Sequence, residues 1–104
     1  MFESDVFRAL GDPTRRAVYE RLTGGERSVT ELRQGLPISQ PAVSQHLAAL
    51  KAAGLVGERR DGRKVYYRIE PRGLAPLIDW LGRYRDFWPT RIERLKGVLK
   101  EMDQ

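Results

Sequence analysis

The stretch from Ser28 to Gly54 is punctuated at intervals that few backbones can satisfy. Ser28-Val29-Thr30-Glu31 fits a capping box, in which the Ser and Glu side chains each take a backbone N–H at the start of a helix. The spacing predicts a helix from Val29 or Thr30 to about Gln34, stopped by Gly35 and Pro37. Ser39 then suits an N-cap and Pro41 a first helical turn. A second helix is expected to run from Ser39 to about Ala53, with Gly54 as its terminal glycine. Two short helices joined by a tight Gly/Pro turn predict a helix-turn-helix.

The flanking segments complete an α+β domain. Upstream, Val6, Phe7 and Leu10 and then Val18 and Leu22 repeat at helical spacing, broken by Gly11-Asp12-Pro13-Thr14. This predicts one helix to Leu10 and another from Pro13 to about Leu22, ended by Gly24-Gly25. Downstream the period changes to that of strands: Val65, Tyr67 and Ile69 alternate with Lys64, Tyr66 and Arg68. With Asp61-Gly62 as a hairpin signal, Val56–Arg60 and Arg63–Ile69 are expected to form a two-stranded β-hairpin. From residue 71 the pattern is helical again. Leu74, Ile78, Leu81, Trp88, Ile92, Leu95, Leu99 and Met102 form an apolar seam like a coiled-coil face. Pro89 is expected either to kink this region or to start a new helix after Trp88.

With 104 residues, the chain is expected to be a single domain, residues 1–104, with a helix-turn-helix core over about 1–70 and C-terminal helices over about 71–104. No stretch is long and apolar enough to predict a membrane-spanning helix. The acidic start lacks the apolar centre of a signal peptide, and cysteine is absent. A cytoplasmic protein is the expectation, with no membrane partner. The formal charge is +5, and fifteen of the nineteen basic residues are Arg, whose forked donors match phosphates and guanine edges. Residues 1–27 net to zero, whereas the hairpin carries Arg59, Arg60, Arg63, Lys64 and Arg68 against Glu58 and Asp61.

On the helix after Ser39, Val43, Leu47 and Leu50 form one stripe. Pro41, Ser44, Gln45 and Ala48 lie opposite, with Gln40 at the edge and no acid among them. A plain solvated face usually carries Glu or Lys. Small and amide side chains instead allow close approach to a groove floor, where Gln can read adenine. The candidate DNA-binding residues are therefore Ser39, Gln40, Pro41, Ser44, Gln45 and His46, with Arg59, Arg60, Arg63 and Lys64 of the hairpin on backbone or minor groove. Charge on the hairpin would equally protect an exposed edge from aggregation. His46 flanks the apolar stripe and reads either as a packed residue that positions the helix or as a phosphate or base contact. Trp80, Tyr84, Phe87 and Trp88 read as interface anchors or as the lining of a ligand pocket.

The run Leu36-Pro37-Ile38-Ser39-Gln40-Pro41-Ala42-Val43-Ser44-Gln45-His46-Leu47, followed by Leu50 and Ala53-Gly54-Leu55-Val56, resembles the winged-helix repressors of the ArsR/SmtB family. Phe7-Arg8-Ala9-Leu10-Gly11-Asp12-Pro13-Thr14-Arg15 resembles that family's N-terminal signature, and Arg63 through Tyr67 its wing. The resemblance covers residues 5 to about 70. It implies a winged helix-turn-helix fold and a homodimer that binds operator DNA, represses transcription and releases on meeting an inducer. Many metal-sensing members carry two cysteines at the start of the third helix. Ser28 and Thr30 stand at the matching positions, and hydroxyls are poor ligands for soft metals. Another family site uses His and acidic residues of the C-terminal helix, and residues 71–104 contain no His, which leaves open a carboxylate-only site from Asp79 or Asp86.

The reading is thus a homodimeric regulator of double-stranded DNA, paired through Leu74, Ile78, Leu81, Trp88, Ile92, Leu95 and Leu99. No cofactor and no metal site are expected, and an unidentified small-molecule inducer is left open. The alternative is a winged helix used only for protein–protein interaction. No paired carboxylates, Ser/His/Asp constellation or Gly-rich phosphate loop points to an enzyme.

Overall fold

Asp12 divides the first helical stretch into α1 (Glu3–Gly11) and α2 (Pro13–Glu20) in the computed structural model, which describes residues 3–102. Its carboxylate accepts the backbone N–H groups of Thr14 and Arg15 at 2.9 and 3.0 Å, and Pro13 occupies the first turn of α2. These N–H groups have no partner inside the helix, and the carboxylate supplies one. Helix α2 ends at Glu20, slightly before the expected Leu22, and turns at Arg21–Gly24.

The helix-turn-helix follows. A short strand β1 (Arg27–Ser28) leads into α3 (Val29–Arg33), whose capping box is complete: Glu31 N–H donates to Ser28 Oγ at 3.2 Å, and Ser28 N–H donates to Glu31 Oε1 at 2.9 Å. Ser39 caps α4 (Gln40–Ala52) by accepting the Ala42 N–H at 3.2 Å. Gly54, at φ +79°, turns the chain out of α4 in the left-handed conformation that glycine adopts without strain.

Strands β2 (Val56–Asp61) and β3 (Lys64–Ile69) form the hairpin. Its turn is Gly62-Arg63 rather than Asp61-Gly62, because Asp61 pairs with Lys64 and belongs to the strand. Gly62 at φ +64° followed by a residue of negative φ is the pattern of a type II′ turn. The sheet also has a third strand that the two-stranded expectation lacks. β1 pairs antiparallel with β3, Arg27 opposite Tyr67 and Ser28 opposite Tyr66, giving the order β1-β3-β2.

The core joins every early helix to the sheet. Val6 and Ala9 of α1, Val18 and Tyr19 of α2, Leu22, Leu32 of α3, Val43, Leu47 and Leu50 of α4, and Leu55 and Val56 are buried together. Strand alternation sends Val56, Tyr67 and Ile69 toward this core and leaves Arg59 and Tyr66 on the other face.

The C-terminal region is divided. A 3₁₀ turn (Pro71–Leu74) leads into α5 (Ala75–Gly82), and after a turn over residues 83–87 a separate helix α6 runs Trp88–Met102. The break is where the apolar spacing skips Arg85, upstream of Pro89, and Pro89 lies in the first turn of α6, where its missing N–H costs no helical bond. Phe7 meets Trp80 edge to face at 5.8 Å and fastens α1 to α5. The radius of gyration is 16.7 Å, against about 13 Å for a compact chain of this length, and the described side chains of α6 are all exposed. Among the described residues no helix is long and apolar enough to cross a membrane.

Gly73 fixes how this region joins the rest. A Cβ there would lie 2.1 Å from the Gly54 carbonyl oxygen, whereas a Cβ at Gly82 would meet nothing within 4 Å. Gly73→Ala is expected to lower unfolding stability by about 1–3 kcal/mol through overpacking. Gly82→Ala is expected to be neutral or to add about 0.4–1 kcal/mol. Urea unfolding of the two variants checks the contrast.

Candidate nucleic-acid interface

Burial of Val43, Leu47 and Leu50 sets the rotation of α4 about its own axis. The opposite face then has one place to go: Gln40, Pro41, Ser44, Gln45 and Ala48 are all exposed. Helix α4 contains no acid, and its one Lys or Arg is Lys51, in the last turn. The result is a convex ridge of amide, hydroxyl and small groups that carries no charge to repel a polyanion.

His46 is half-buried at the edge of this ridge, on the side of Asp12. The Arg15 backbone N–H holds the Asp12 carboxyl below the ordinary aspartate range, helped by the Thr14 N–H and by the charge of His46. His46 is thus near enough to the α2 cap to act on it electrostatically, while Gln45 beside it is exposed. Ser39 spends its hydroxyl lone pair on the α4 cap, and the hydroxyl proton remains free to donate outward.

The hairpin cations divide by what surrounds them. Arg59 reaches Glu26, NH2 to Oε1 at 2.7 Å, and its guanidinium lies 4.9 Å from the centre of the Tyr66 ring. Arg68 pairs with Glu70 at 3.1 Å. Lys51 of α4 pairs with Glu58 of β2 at 2.8 Å, which ties the end of the helix to the sheet. Among the described residues Arg60, Arg63 and Lys64 have no carboxylate within salt-bridge distance, and all three are exposed at or beside the hairpin tip.

Between the tip and the helices runs an open groove of about 650 Å³. Ser28, Val29, Thr30 and Glu31 form one wall, Arg63, Lys64, Val65 and Tyr66 another, and Gln40 opens into it. Thr30 and Tyr66 are therefore beside the candidate surface although the sequence reading did not select them. The pairing of β1 with β3 brings them there, and a two-residue strand leaves almost no period-2 signal. The hydroxyl-only donors Ser28 and Thr30 do not fit a soft-metal site, and the Ser28 oxygen is already engaged in the α3 cap.

The residues selected for pairing between copies also separate. Leu74 is half-buried and packs against the domain's own core. Ile78 is 63% exposed and Leu81 42%. On α6, Leu95, Leu99 and Met102 are exposed, and Val98, absent from the seam read in the sequence, completes an i, i+3, i+4, i+7 stripe with them. The side chains of Trp88 and Ile92 lie outside the described residues. Trp80, Tyr84 and Phe87 form a chain of ring contacts at 5.3 and 6.5 Å, continued by Arg91 over the Phe87 ring at 4.7 Å.

Comparison with known proteins converges on one kind of molecule. Residues 10–59 match a helix-turn-helix domain family. The chain is 50% identical over 79 residues to the HTH-type transcriptional regulator Rv2034 of Mycobacterium tuberculosis, spanning 76% of this chain and 74% of that one. It is 35% identical over 78 residues to the transcriptional repressor SdpR of Bacillus subtilis, spanning 75% of this chain and 87% of the repressor. The structure of an ArsR-like transcriptional regulator from Rhodococcus superposes with a TM-score of 0.71 at 33% identity, over 92% of this chain and 91% of the other.

The Asp12 cap gives the fold a measurable pH dependence. A carboxyl whose folded value is depressed contributes stability above its unfolded value and loses it as pH falls through the folded one. Asp12→Ala is therefore expected to be less stable than the unaltered chain at neutral pH, with the gap narrowing from about pH 5 downward. Denaturant melts of both proteins along a pH series check this, and a gap that widens toward acid would contradict it.

Proposed function

The chain belongs to the ArsR family of winged-helix, DNA-binding transcriptional regulators, and from that premise we propose that it is a homodimeric repressor of an inverted-repeat operator. The observation that carries the reading is the acid-free exposed face of α4 set beside three hairpin cations that, among the described residues, have no carboxylate within salt-bridge distance. Gln40, Ser44 and Gln45 enter the major groove, with Pro41 and Ala48 allowing close approach. Gln45 is placed to read a base edge, because an amide can donate and accept at adenine together. Arg60, Arg63 and Lys64 follow the sugar–phosphate backbone or the adjoining minor groove.

Dimerisation rests on α6. A helix of this length is marginal in water by itself, and Leu95, Val98, Leu99 and Met102 form an apolar stripe that the described chain leaves uncovered. A second copy meeting it across a two-fold axis would cover both stripes and present two copies of α4 about 34 Å apart, one turn of DNA. Any inducer would be of a chemistry other than a thiophilic metal, since Ser28 and Thr30 offer only hydroxyls.

Two measurements test this. Gln45→Ala is expected to weaken binding to a duplex selected from a randomised library by about tenfold or more, with a smaller loss on random DNA, whereas Arg63→Ala should lower the salt slope by about 0.9. Equal losses on both DNAs would remove Gln45 from base reading, and an unchanged slope would remove Arg63 from the backbone. Sedimentation is expected to give a species of twice the 12.0 kDa chain mass at micromolar concentration. A single-chain mass there would contradict the dimer.

A further inference from the structure

Arg59 has the composition of a DNA contact and the surroundings of something else. Each of its three nitrogens faces an acid. Nε lies 3.3 and 3.2 Å from the two Glu26 oxygens, NH2 lies 2.7 Å from Glu26 Oε1, and NH1 lies 3.9 Å from Asp61 Oδ2. The guanidinium carbon lies over the Tyr66 ring, 4.9 Å from its centre. The Nε–NH2 edge, the fork that would grip a phosphate with two parallel bonds, is taken by Glu26, and a phosphate approaching the remaining NH1 side would meet the Glu26 and Asp61 carboxylates. Arg60, the next residue, lies opposite Val65 and has no such partner among the described residues.

Glu26 is well placed to transmit this contact. It is separated from Arg59 by 33 residues of sequence. It lies two residues before Ser28, which both caps α3 and pairs with Tyr66 in the sheet. A grip on Glu26 therefore holds one face of the hairpin against the first helix of the helix-turn-helix, while Lys51–Glu58, one residue away on the same strand, holds the opposite face to the end of α4. The Arg59 hydrogen bonds, and then its charge and that of Arg68, keep the Glu26 carboxyl below the ordinary glutamate range, so the pair is fully ionised at neutral pH.

We propose that Glu26 and Arg59 are a positioning pair for DNA binding: clamped over Tyr66, they set the angle of the hairpin relative to α3 and α4 so that Arg60, Arg63 and Lys64 reach the backbone while α4 occupies the groove. Neither side chain touches DNA. The inference rests on the DNA-binding reading above and sharpens it by moving Arg59 out of the contact set. It also makes an acid necessary for binding a polyanion, the reverse of the simple electrostatic expectation, in which removing a carboxylate strengthens the complex.

The test is a double-mutant cycle on the full chain, read as affinity for the duplex that the unaltered chain selects from a randomised library. Glu26→Gln, despite raising the net charge, is expected to weaken binding about fivefold to tenfold, and Arg59→Gln by a similar factor. The double variant should be no weaker than either single one, because the two act as a unit. The charge-reversed pair, Glu26→Arg with Arg59→Glu, should recover most of the affinity, a rescue that loss of fold would not give. Denaturant melts of each variant separate a hairpin that has shifted from a chain that has unfolded. Tighter binding by Glu26→Gln, or an Arg59→Gln loss that persists in full when Glu26 is already Gln, would overturn the proposal and make Arg59 a phosphate contact restrained by Glu26. Absence of salt-sensitive DNA binding by the unaltered chain would instead overturn the functional reading itself.

Discussion

The buried stripe Val43, Leu47 and Leu50 is what the rest of the molecule depends on. Each fully buried side chain of this kind contributes about 1.5–3 kcal/mol, and all three lie on one side of α4. Rotating the helix to hide Gln45 would expose all three together. The direction of the exposed ridge is therefore set by apolar burial, with the Ser39 cap and Gly54 fixing where the helix starts and stops. Solvent-exposed ion pairs such as Lys51–Glu58 contribute far less energy. They adjust the sheet against a helix already placed.

Charge works at a second level, and its sum is less informative than its pairing. The hairpin's excess of cations is conspicuous in the sequence, but Arg59 and Arg68 are held by Glu26 and Glu70. The cations with no carboxylate within salt-bridge distance among the described residues, Arg60, Arg63 and Lys64, lie at or beside the tip, and Arg63 and Lys64 line the groove that Gln40 opens into. One part of the basic sequence thus holds the hairpin in place, and another is presented to solvent.

Local chemistry made much of this legible in advance. The capping box at Ser28, the caps at Asp12 and Ser39, and the glycine at 54 are short-range signals, and each appears where the spacing put it. What the sequence concealed is mostly long-range. Strand β1 is two residues long and exists because β3 is beside it. The Glu26–Arg59 contact joins residues remote in sequence, so nothing in the composition of the hairpin distinguished Arg59 from Arg60. The hairpin turn fell one residue later than the Asp-Gly signal suggested, because Asp61 found a cross-strand partner in Lys64. Leu74 fits the C-terminal seam by spacing, yet Gly73 brings the chain so close to Gly54 that Leu74 packs inward. Ile78, Leu95, Val98 and Leu99 stay outside and give the seam its present form.

In the proposed complex, two copies of α4 with their hairpins engage DNA as a two-fold unit. Hydroxyl-radical footprinting of the chain on its selected duplex tests that most directly. The expected pattern is a pair of protected patches related by two-fold symmetry, centred about one helical turn apart, with flanking protection where the hairpin tips lie on the backbone. A single unsymmetrical patch, or uniform protection without any boundary, would contradict it.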